Sequence, residues 1–331
     1  MEKSSRLKST FSSKSAILVV VMAVFILMFW LINKNYLSPD NIRGIFYACS
    51  TSGTIAIGMS CLLISGNIDL SAGATGMLGG IIVAFLIQAG VPWVLALIIG
   101  LAFGCVIGLI NAFFVNVLNF MPFISTLAFM YVFQGVGNAI TNAQNIAVND
   151  KGFWAFGSTN VFGILPVPFL VMCALFLIYG FILANTRFGR RMYMCGGNRM
   201  AARLAGINPK RIGTILYMNN SAIAVLAGSM MAARMHMASP SAVLGTELTG
   251  ITAAVLGGVS FMGGGGGMGG AFIGLLLLNT FTNGLQVIGL DSYWQIVAQG
   301  ILLIGALMLD FFRERARIRA LKASMAVVNA K

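Results

Sequence analysis

Residues 185–208 read NTRFGRRMYMCGGNRMAARLAGIN, and they contain Arg187, Arg190, Arg191, Arg199 and Arg203. Long apolar runs flank them, at roughly 162–184 and 212–234. A basic stretch between two apolar runs marks the cytoplasmic face of a membrane protein, because the Lys and Arg content of short loops sets the orientation of the chain. This reading decides the fold class, and the remaining sequence is consistent with it.

The 331 residues are 58% hydrophobic and only 9% charged. Mean hydropathy is +0.91. A soluble domain carries about 25% charged residues, so an ordinary soluble enzyme is excluded. A helical span takes about 20 apolar residues. About ten apolar segments can be drawn, at roughly 16–33, 43–65, 69–88, 92–117, 122–140, 162–184, 212–234, 247–260, 267–289 and 293–311. They are continuously apolar rather than alternating, which argues against a transmembrane β-barrel. The expectation is an all-α, polytopic transmembrane helical bundle of eight to ten spans. Segment 247–260 is too short to cross alone at about 1.5 Å per residue. It is expected as a half-span, or as a span completed by its flanks.

A net charge of +13 invites a nucleic-acid reading. The distribution explains it otherwise. Most of the 21 Lys and Arg lie in three places: the N-terminal tail (Lys3, Arg6, Lys8, Lys14), the stretch from Arg187 to Arg211, and the chain after Asp310. Cytoplasmic loops and tails are where they belong. Ten spans starting from a cytoplasmic N-terminus place all three on one side. The expected organisation is a basic tail at 1–15, a membrane domain at 16–311 with a cytoplasmic loop at about 185–211, and a basic tail at 312–331. No small-residue cleavage site follows the first apolar run, so it reads as an uncleaved span. Cys49, Cys61, Cys105 and Cys173 lie in apolar text as small hydrophobes. Cys195 lies in the cytoplasmic loop, where a thiol stays reduced.

The stretch Ser65-Gly66-Asn67-Ile68-Asp69-Leu70-Ser71 places an acid in apolar surroundings. A carboxylate at bilayer depth is costly unless paired or wetted. Gly66 permits a helix break, after which Asn67 or Asp69 can cap the next helix. A broken helix survives in a membrane only when buried in protein or lining a water-filled cavity. Asn67, Asp69 and Ser71 therefore either border a polar pathway or fix a turn, and the two roles are compatible. Asn279, Asn283 and Gln286 fall on one helical face at i, i+4 and i+7. Gln295 and Gln299 repeat the spacing. Asn111, Asn116, Asn219 and Asn220 lie inside other apolar segments. Amides can bond a hydroxylated solute from both donor and acceptor atoms, and they also join helices.

Glycines concentrate at 66–80 and 257–274. Gly-interrupted apolar segments in two halves point to a transport site. The run 263–267 lacks the Lys-Ser/Thr of a phosphate loop, so any ATP that drives this chain is hydrolysed on another one. His236, beside Arg234, is the only histidine and reads as structural. Glu247 reads as an interfacial cap and Trp154 as an interface aromatic. With one histidine, no catalytic triad and no metal-ligand set can be assembled, and no enzymatic activity is expected.

Within the basic loop, Asn198 can cap a short helix that stops at Gly206. Met200 and Leu204 share one face, Arg199 and Arg203 another. Two turns are too few to be stable in water. Such a helix suits either a groove on a partner protein or an anionic lipid surface.

At this point a resemblance emerges. Residues 186–208 resemble the cytoplasmic loop of the ribose-type sugar permeases of bacterial ABC importers. GNIDLSAGA (66–74), NAFFVNVLNFMPFISTLAFM (111–130), AVLGGVSFMGGGGGMGGAFIG (254–274) and NGLQVIGLDSYWQIVAQGILLIGALMLD (283–310) are similar to further segments of that family, in order. The resemblance covers nearly all the chain after residue 40. It implies a multi-pass permease of the bacterial inner membrane, paired with a second permease that is identical or homologous. A cytoplasmic ATP-binding subunit would hold ATP and magnesium, with no cofactor in this chain. An extracytoplasmic solute-binding protein would deliver the sugar. Membrane lipid surrounds the assembly, and nucleic acid has no part in it. Arg187, Phe188, Gly189, Arg190, Asn198, Ala201, Ala202, Arg203, Leu204 and Gly206 would then form the element that docks on the ATPase. The sequence departs from the family pattern at Asn67, where Gly is usual, at Arg199-Met200, where Glu or Pro is common, and at Gly265. Competing readings are a permease for branched-chain amino acids or nucleosides, and an ion-coupled secondary transporter. The latter needs ionisable relays in the bundle, and Asp69 is nearly alone.

Overall fold

A computed structural model describes residues 13–329. Its helices are α1 (Ser13–Ile32), α2 (Pro39–Ile64), α3 (Ala72–Gln88), α4 (Trp93–Ala112), α5 (Pro122–Thr141), α6 (Lys151–Ser158) and α7 (Val167–Asn185). They continue with α8 (Arg187–Gly197), α9 (Arg199–Leu204), α10 (Pro209–Met235), α11 (Thr246–Leu256), α12 (Met268–Val287) and α13 (Ser292–Asn329). Local chemistry sets many of the starts. Pro39, Pro122 and Pro209 occupy the first helical position of their helices, where a missing N–H costs nothing. Ser38 and Asn208 accept from the backbone N–H groups of Asn41 and Arg211, which satisfies donors the helix cannot.

Each apolar segment drawn from the sequence coincides with a helix. Seven of these are long and apolar enough to cross a membrane, while Ala16–Ile32, Ala72–Gln88 and Thr246–Leu256 are shorter. The chain is a multi-pass helical membrane protein. The segment drawn at 247–260 contracts to the 11 residues of α11, about 16 Å long. That is half a bilayer, and the four remaining residues belong to a glycine-rich loop. Lys3, Arg6 and Lys8 of the basic tail lie outside the described residues, as do most side chains of the tail at 312–331.

Burial sorts the helices. The apolar windows of α2 and α10 are 83% and 67% buried, whereas those of α4, α5 and α7 are 22–28% buried. α2, α3 and α10 form the centre, and the others wrap around them. The outer faces carry exposed Ile98, Val106, Leu177 and Phe181, an apolar girdle that fits lipid rather than water. Contact at the centre is made through glycine. A Cβ at Gly228 of α10 would lie 1.8 Å from the carbonyl oxygen of Gly76 in α3. One at Gly108 of α4 would lie 2.4 Å from that of Tyr217. Small residues let backbones approach where lipid provides no hydrophobic drive.

The connections gather at two ends. At one, Asn33 Nδ2 donates to the Val287 carbonyl at 3.0 Å, and Gln88 Nε2 to that of Ala147 at 2.7 Å. Two-residue strands Ile146–Ala147 and Met237–Ala238 pair there antiparallel, and Trp154 stacks on His236 with ring centroids 4.5 Å apart. At the other, the Gly264 N–H donates to the Ile64 carbonyl at 2.9 Å. The Phe261 N–H donates to Asp310 at 3.0 Å, and Asn116 to Thr214 at 3.3 Å. α2 joins the two ends with 26 residues, about 39 Å. The basic loop lies at the second end, hereafter the basic end.

Gly228→Ala is expected to cost about 1–3 kcal/mol through overpacking. Gly135→Ala, with nothing within 4 Å of its added methyl, is expected to be neutral. Thermal unfolding of both variants in detergent checks this, and equal melting temperatures would contradict the packing described.

Candidate functional site

Three features are candidates for function: the basic hairpin, the break between α2 and α3, and a polar cavity at the opposite end.

The hairpin is more structured than its charges announce. Thr186 caps α8, its hydroxyl accepting from the Gly189 N–H at 3.1 Å. Gly189, Met192 and Cys195 recur at three-residue spacing and are buried, while Arg187, Arg190 and Arg191 are exposed. Phe188 packs against the main core. Gly189 is required by space, since a Cβ would sit 2.4 Å from the Ile182 carbonyl oxygen. Burial pushes the Cys195 thiol up, with Arg199 pulling it the other way. The sequence reading missed α8, although a capping Thr and a buried position every third residue are readable signs of a helix. It found α9. Asn198 Oδ1 accepts from the N–H groups of Met200 and Ala201 at 2.9 and 3.0 Å. Gly206 is left-handed at φ +77°, where a glycine stop suits the chain. Ala202 is buried, whereas Ala201, Arg203, Met200 and Leu204 are exposed, Leu204 at 84%. An apolar pair beside two arginines thus projects from the basic end.

The break follows Ile64. Gly66 turns at φ +74°. Asp69 is fully buried, and its Oδ1 accepts from the Ser71 N–H at 2.9 Å and the Ser71 hydroxyl at 2.6 Å. Its Oδ2 accepts from Asn220 of α10 at 2.9 Å. Asn111 of α4 donates to the Ser71 hydroxyl at 2.8 Å. The carboxylate therefore fixes the turn and joins α3, α4 and α10, while Ser71 occupies the N-cap of α3 without a side-chain cap bond. Asn67 does not join this cluster. It donates to Ser65 at 2.9 Å and accepts from Arg199, so two positions that depart from the family pattern touch each other. Glu247, expected at an interface, is instead buried in the first turn of α11. Its carboxylate presses on Gly73, where a Cβ would lie 2.0 Å from Oε2.

The cavity has a volume of about 690 Å³, within the range of small-molecule sites. Asn279, Asn283 and Gln286 of α12 line it, as do Gln295 and Gln299 of α13. Asp40, Asn41, Tyr47, Thr51 and Ser52 of α2, Arg234 of α10, and Thr246, Thr249 and Thr282 complete its polar wall. Asn283 exchanges hydrogen bonds with Asn41 at 2.9 and 3.0 Å. Asn279 bonds Ser52 at 3.2 Å. The Arg234 guanidinium lies over the Tyr47 ring, 4.1 Å from its centroid. Amides grouped in the sequence thus divide. Those of α12 and α13 face the cavity, while Asn111, Asn116, Asn219 and Asn220 bond other helices. Asn67, Asp69 and Ser71 are not in the cavity wall. Arg234 was set aside in the sequence reading with His236. Its isolation as a cation at the end of an apolar run was the available sign.

A many-helix bundle with a buried turn between two central helices, a polar cavity at one end and a basic hairpin at the other is the architecture of a membrane transport subunit. The chain belongs to the family described as "Branched-chain amino acid transport system / permease component", whose model matches residues 41–307. It is 38% identical to the ribose import permease protein RbsC of Bacillus subtilis (strain 168), covering 89% of each chain. It is 33% identical to the L-arabinose transport system permease protein AraH of Escherichia coli (strain K12), covering 91% of each. It is 35% identical to the D-allose transport system permease protein AlsC of the same strain, covering 88% of this chain and 89% of the relative. No solved structure matches. The protein is a permease subunit, a transporter component rather than an enzyme.

Asp69→Ala strips Asn220 and Ser71 of their acceptor. Leaving such buried groups unpaired costs about 1–3 kcal/mol. The expected outcome is a lower melting temperature in detergent and reduced transport. A variant as stable and as active as the parent would refute the turn-fixing role.

Proposed function

We propose that this chain forms the membrane pathway of an ATP-driven sugar importer in a bacterial inner membrane. The observation that carries the reading is the placement of two sites at opposite ends of one bundle. The cavity is lined mainly by amides and hydroxyls, with one cation, Arg234, and one carboxylate, Asp40, a donor and acceptor set suited to a neutral polyhydroxylated solute. The hairpin offers Met200, Leu204 and Arg203 to a protein surface. In this reading the basic end is cytoplasmic, all ten apolar helices traverse or enter the bilayer, and both termini are cytoplasmic. A second permease completes the pathway. A solute-binding protein presents sugar at the cavity end, and a cytoplasmic subunit binds ATP and magnesium at the hairpin.

The chemistry of the chain is non-covalent. Solute hydroxyls exchange hydrogen bonds with water for bonds with Asn279, Gln286 and their neighbours, so entry costs little. ATP-driven closure of the partner subunits displaces α8 and α9, and the bundle shifts between two packings rather than deforming continuously. The relatives are named for ribose, L-arabinose and D-allose, and this favours a sugar over a branched-chain amino acid despite the family's description. A gradient-driven mechanism is disfavoured by the cavity wall, where Asp40 is the only carboxylate and is paired with Arg43.

Uptake in proteoliposomes should require the separate ATPase and be unaffected by a proton or sodium gradient alone. Arg203→Glu should reduce ATPase co-purification and lower uptake at least about tenfold, without changing the melting temperature of the isolated permease. Wild-type co-purification and uptake would refute docking at α9. Gln286→Ala should raise the apparent KM for sugar about 3–10-fold, as expected for one lost hydrogen bond. An unchanged KM would place the solute elsewhere.

A further inference from the structure

We infer that Arg199 is a positioning residue that ties the basic hairpin to the α2–α3 break, so that movement of the hairpin reaches the solute cavity. The inference rests on the permease reading and adds to it a specific route through the chain. Arg199 Nη2 donates to the Gly66 carbonyl at 3.0 Å and to Asn67 Oδ1 at 2.9 Å. One amino group of the guanidinium thus grips two residues just beyond the end of α2. Two charge-assisted bonds from one group fix its orientation as well as its distance.

The surrounding backbone leaves no slack. A Cβ on Gly196 would lie 1.9 Å from the Ile64 carbonyl oxygen and 2.6 Å from the Gly264 nitrogen. One on Gly263 would lie 2.9 Å from the Gly196 carbonyl oxygen and 3.1 Å from the Gly66 Cα. The Gly264 N–H donates to the Ile64 carbonyl at 2.9 Å, and Tyr193 of α8 donates to the Gly266 carbonyl at 2.7 Å. Three chain crossings meet here: the end of α2, the end of α8, and the glycine loop between α11 and α12. Close-packed backbone transmits displacement because it compresses little.

From the break, the contact continues to the cavity helices. The Ile68 carbonyl accepts from Tyr217 at 2.8 Å and Asp69 from Asn220 at 2.9 Å, both on α10. α10 carries Arg234 at its far end, and α2 carries Asn41 and Ser52. Both therefore join the break to the cavity wall. Arg203, one turn along from Arg199, is free to engage a partner. The two arginines thus divide the work: Arg203 faces the ATPase, and Arg199 faces the permease core.

The test uses the intact assembly in proteoliposomes with its ATPase and binding protein, and reads sugar imported per ATP hydrolysed. R199M is expected to retain ATPase co-purification and hydrolysis, while import per ATP falls about tenfold, a typical coupling factor. R199K, which keeps the charge on a shorter, non-planar head group, should recover part of it. N67A, which removes one acceptor, should show a smaller loss, and R199M with N67A should be no worse than R199M alone. A wild-type ratio in R199M would overturn the inference, as would strictly additive losses. Loss of ATPase co-purification in R199M would also overturn it, by making Arg199 a docking residue. If R199M yields no folded permease, N67A decides by the same ratio. Uptake by the wild-type assembly without ATP would instead overturn the importer reading.

Discussion

A chain that turns inside packed protein must pair its carbonyl and amide groups there, because water does not reach them. The fold is organised around that constraint at residues 65–71. Asp69 supplies two acceptor oxygens, Ser71 and Asn220 supply the donors, and Thr126 of α5 accepts from the Leu70 N–H at 3.0 Å. Tyr217 covers the Ile68 carbonyl. Every element that satisfies the break is thereby fixed to it, so the outer helices α4 and α5 are anchored here to the central α3 and α10. The carboxylate that looks most expensive in the sequence joins α3 to α10 directly and to α4 through Ser71.

Glycine makes this arrangement sterically possible. Gly228 against Gly76, and Gly108 against Tyr217, bring α10 to backbone contact with α3 and α4. Gly196 and Gly263 do the same at the basic end. Among lipid tails as apolar as leucine, close approach and hydrogen bonding must supply the association that water supplies elsewhere. The same glycines permit the strained turns. Gly66, Gly258, Gly263, Gly264 and Gly266 all have positive φ, a region that costs an L-residue energy and costs glycine none. The two glycine clusters that punctuate the sequence thus prove to be neighbours in space at Gly66 and Gly263.

Much of this was legible in the sequence, because it is local. Apolar length located the ten apolar helices, Gly66 located the break, and Asn198 with Gly206 bounded α9. The i, i+4, i+7 spacing of Asn279, Asn283 and Gln286 placed all three on the cavity wall. What remained illegible was pairing at long range. Nothing in the text joins Arg199 to Gly66, 133 residues away, or Asp69 to Asn220, 151 residues away. Periodicity assigns a residue to a face, but only packing decides which other helix that face meets. The amides show the limit: Asn219 and Asn220 are consecutive, yet one bonds Tyr179 and the other Asp69. Glu247 was misplaced for the same reason. A glutamate at a helix start is as compatible with an interface as with burial, and only the missing Cβ of Gly73 makes room for it inside.

On the proposed function, the division of polar groups lets a permeation pathway coexist with a stable bundle. Groups that hold helices together are bonded to protein, as Asn111 Nδ2 is to Ser71 and Asn220 Nδ2 to Asp69. Groups that greet a solute must be exchangeable between water and ligand. The chain separates them along its length: Asp69, Ser71, Asn111 and Asn220 are committed to one another, while the amides of α12 and α13 face open volume. Asn279 and Asn283 stand between these classes, bonded to Ser52 and Asn41 across the cavity wall. Those two bonds span α2 and α12, so a shift between these helices would free the same donors and acceptors that a hydroxylated solute could take up. Separation of the wall and capture of the solute then become one exchange of hydrogen bonds, with little net cost to either step.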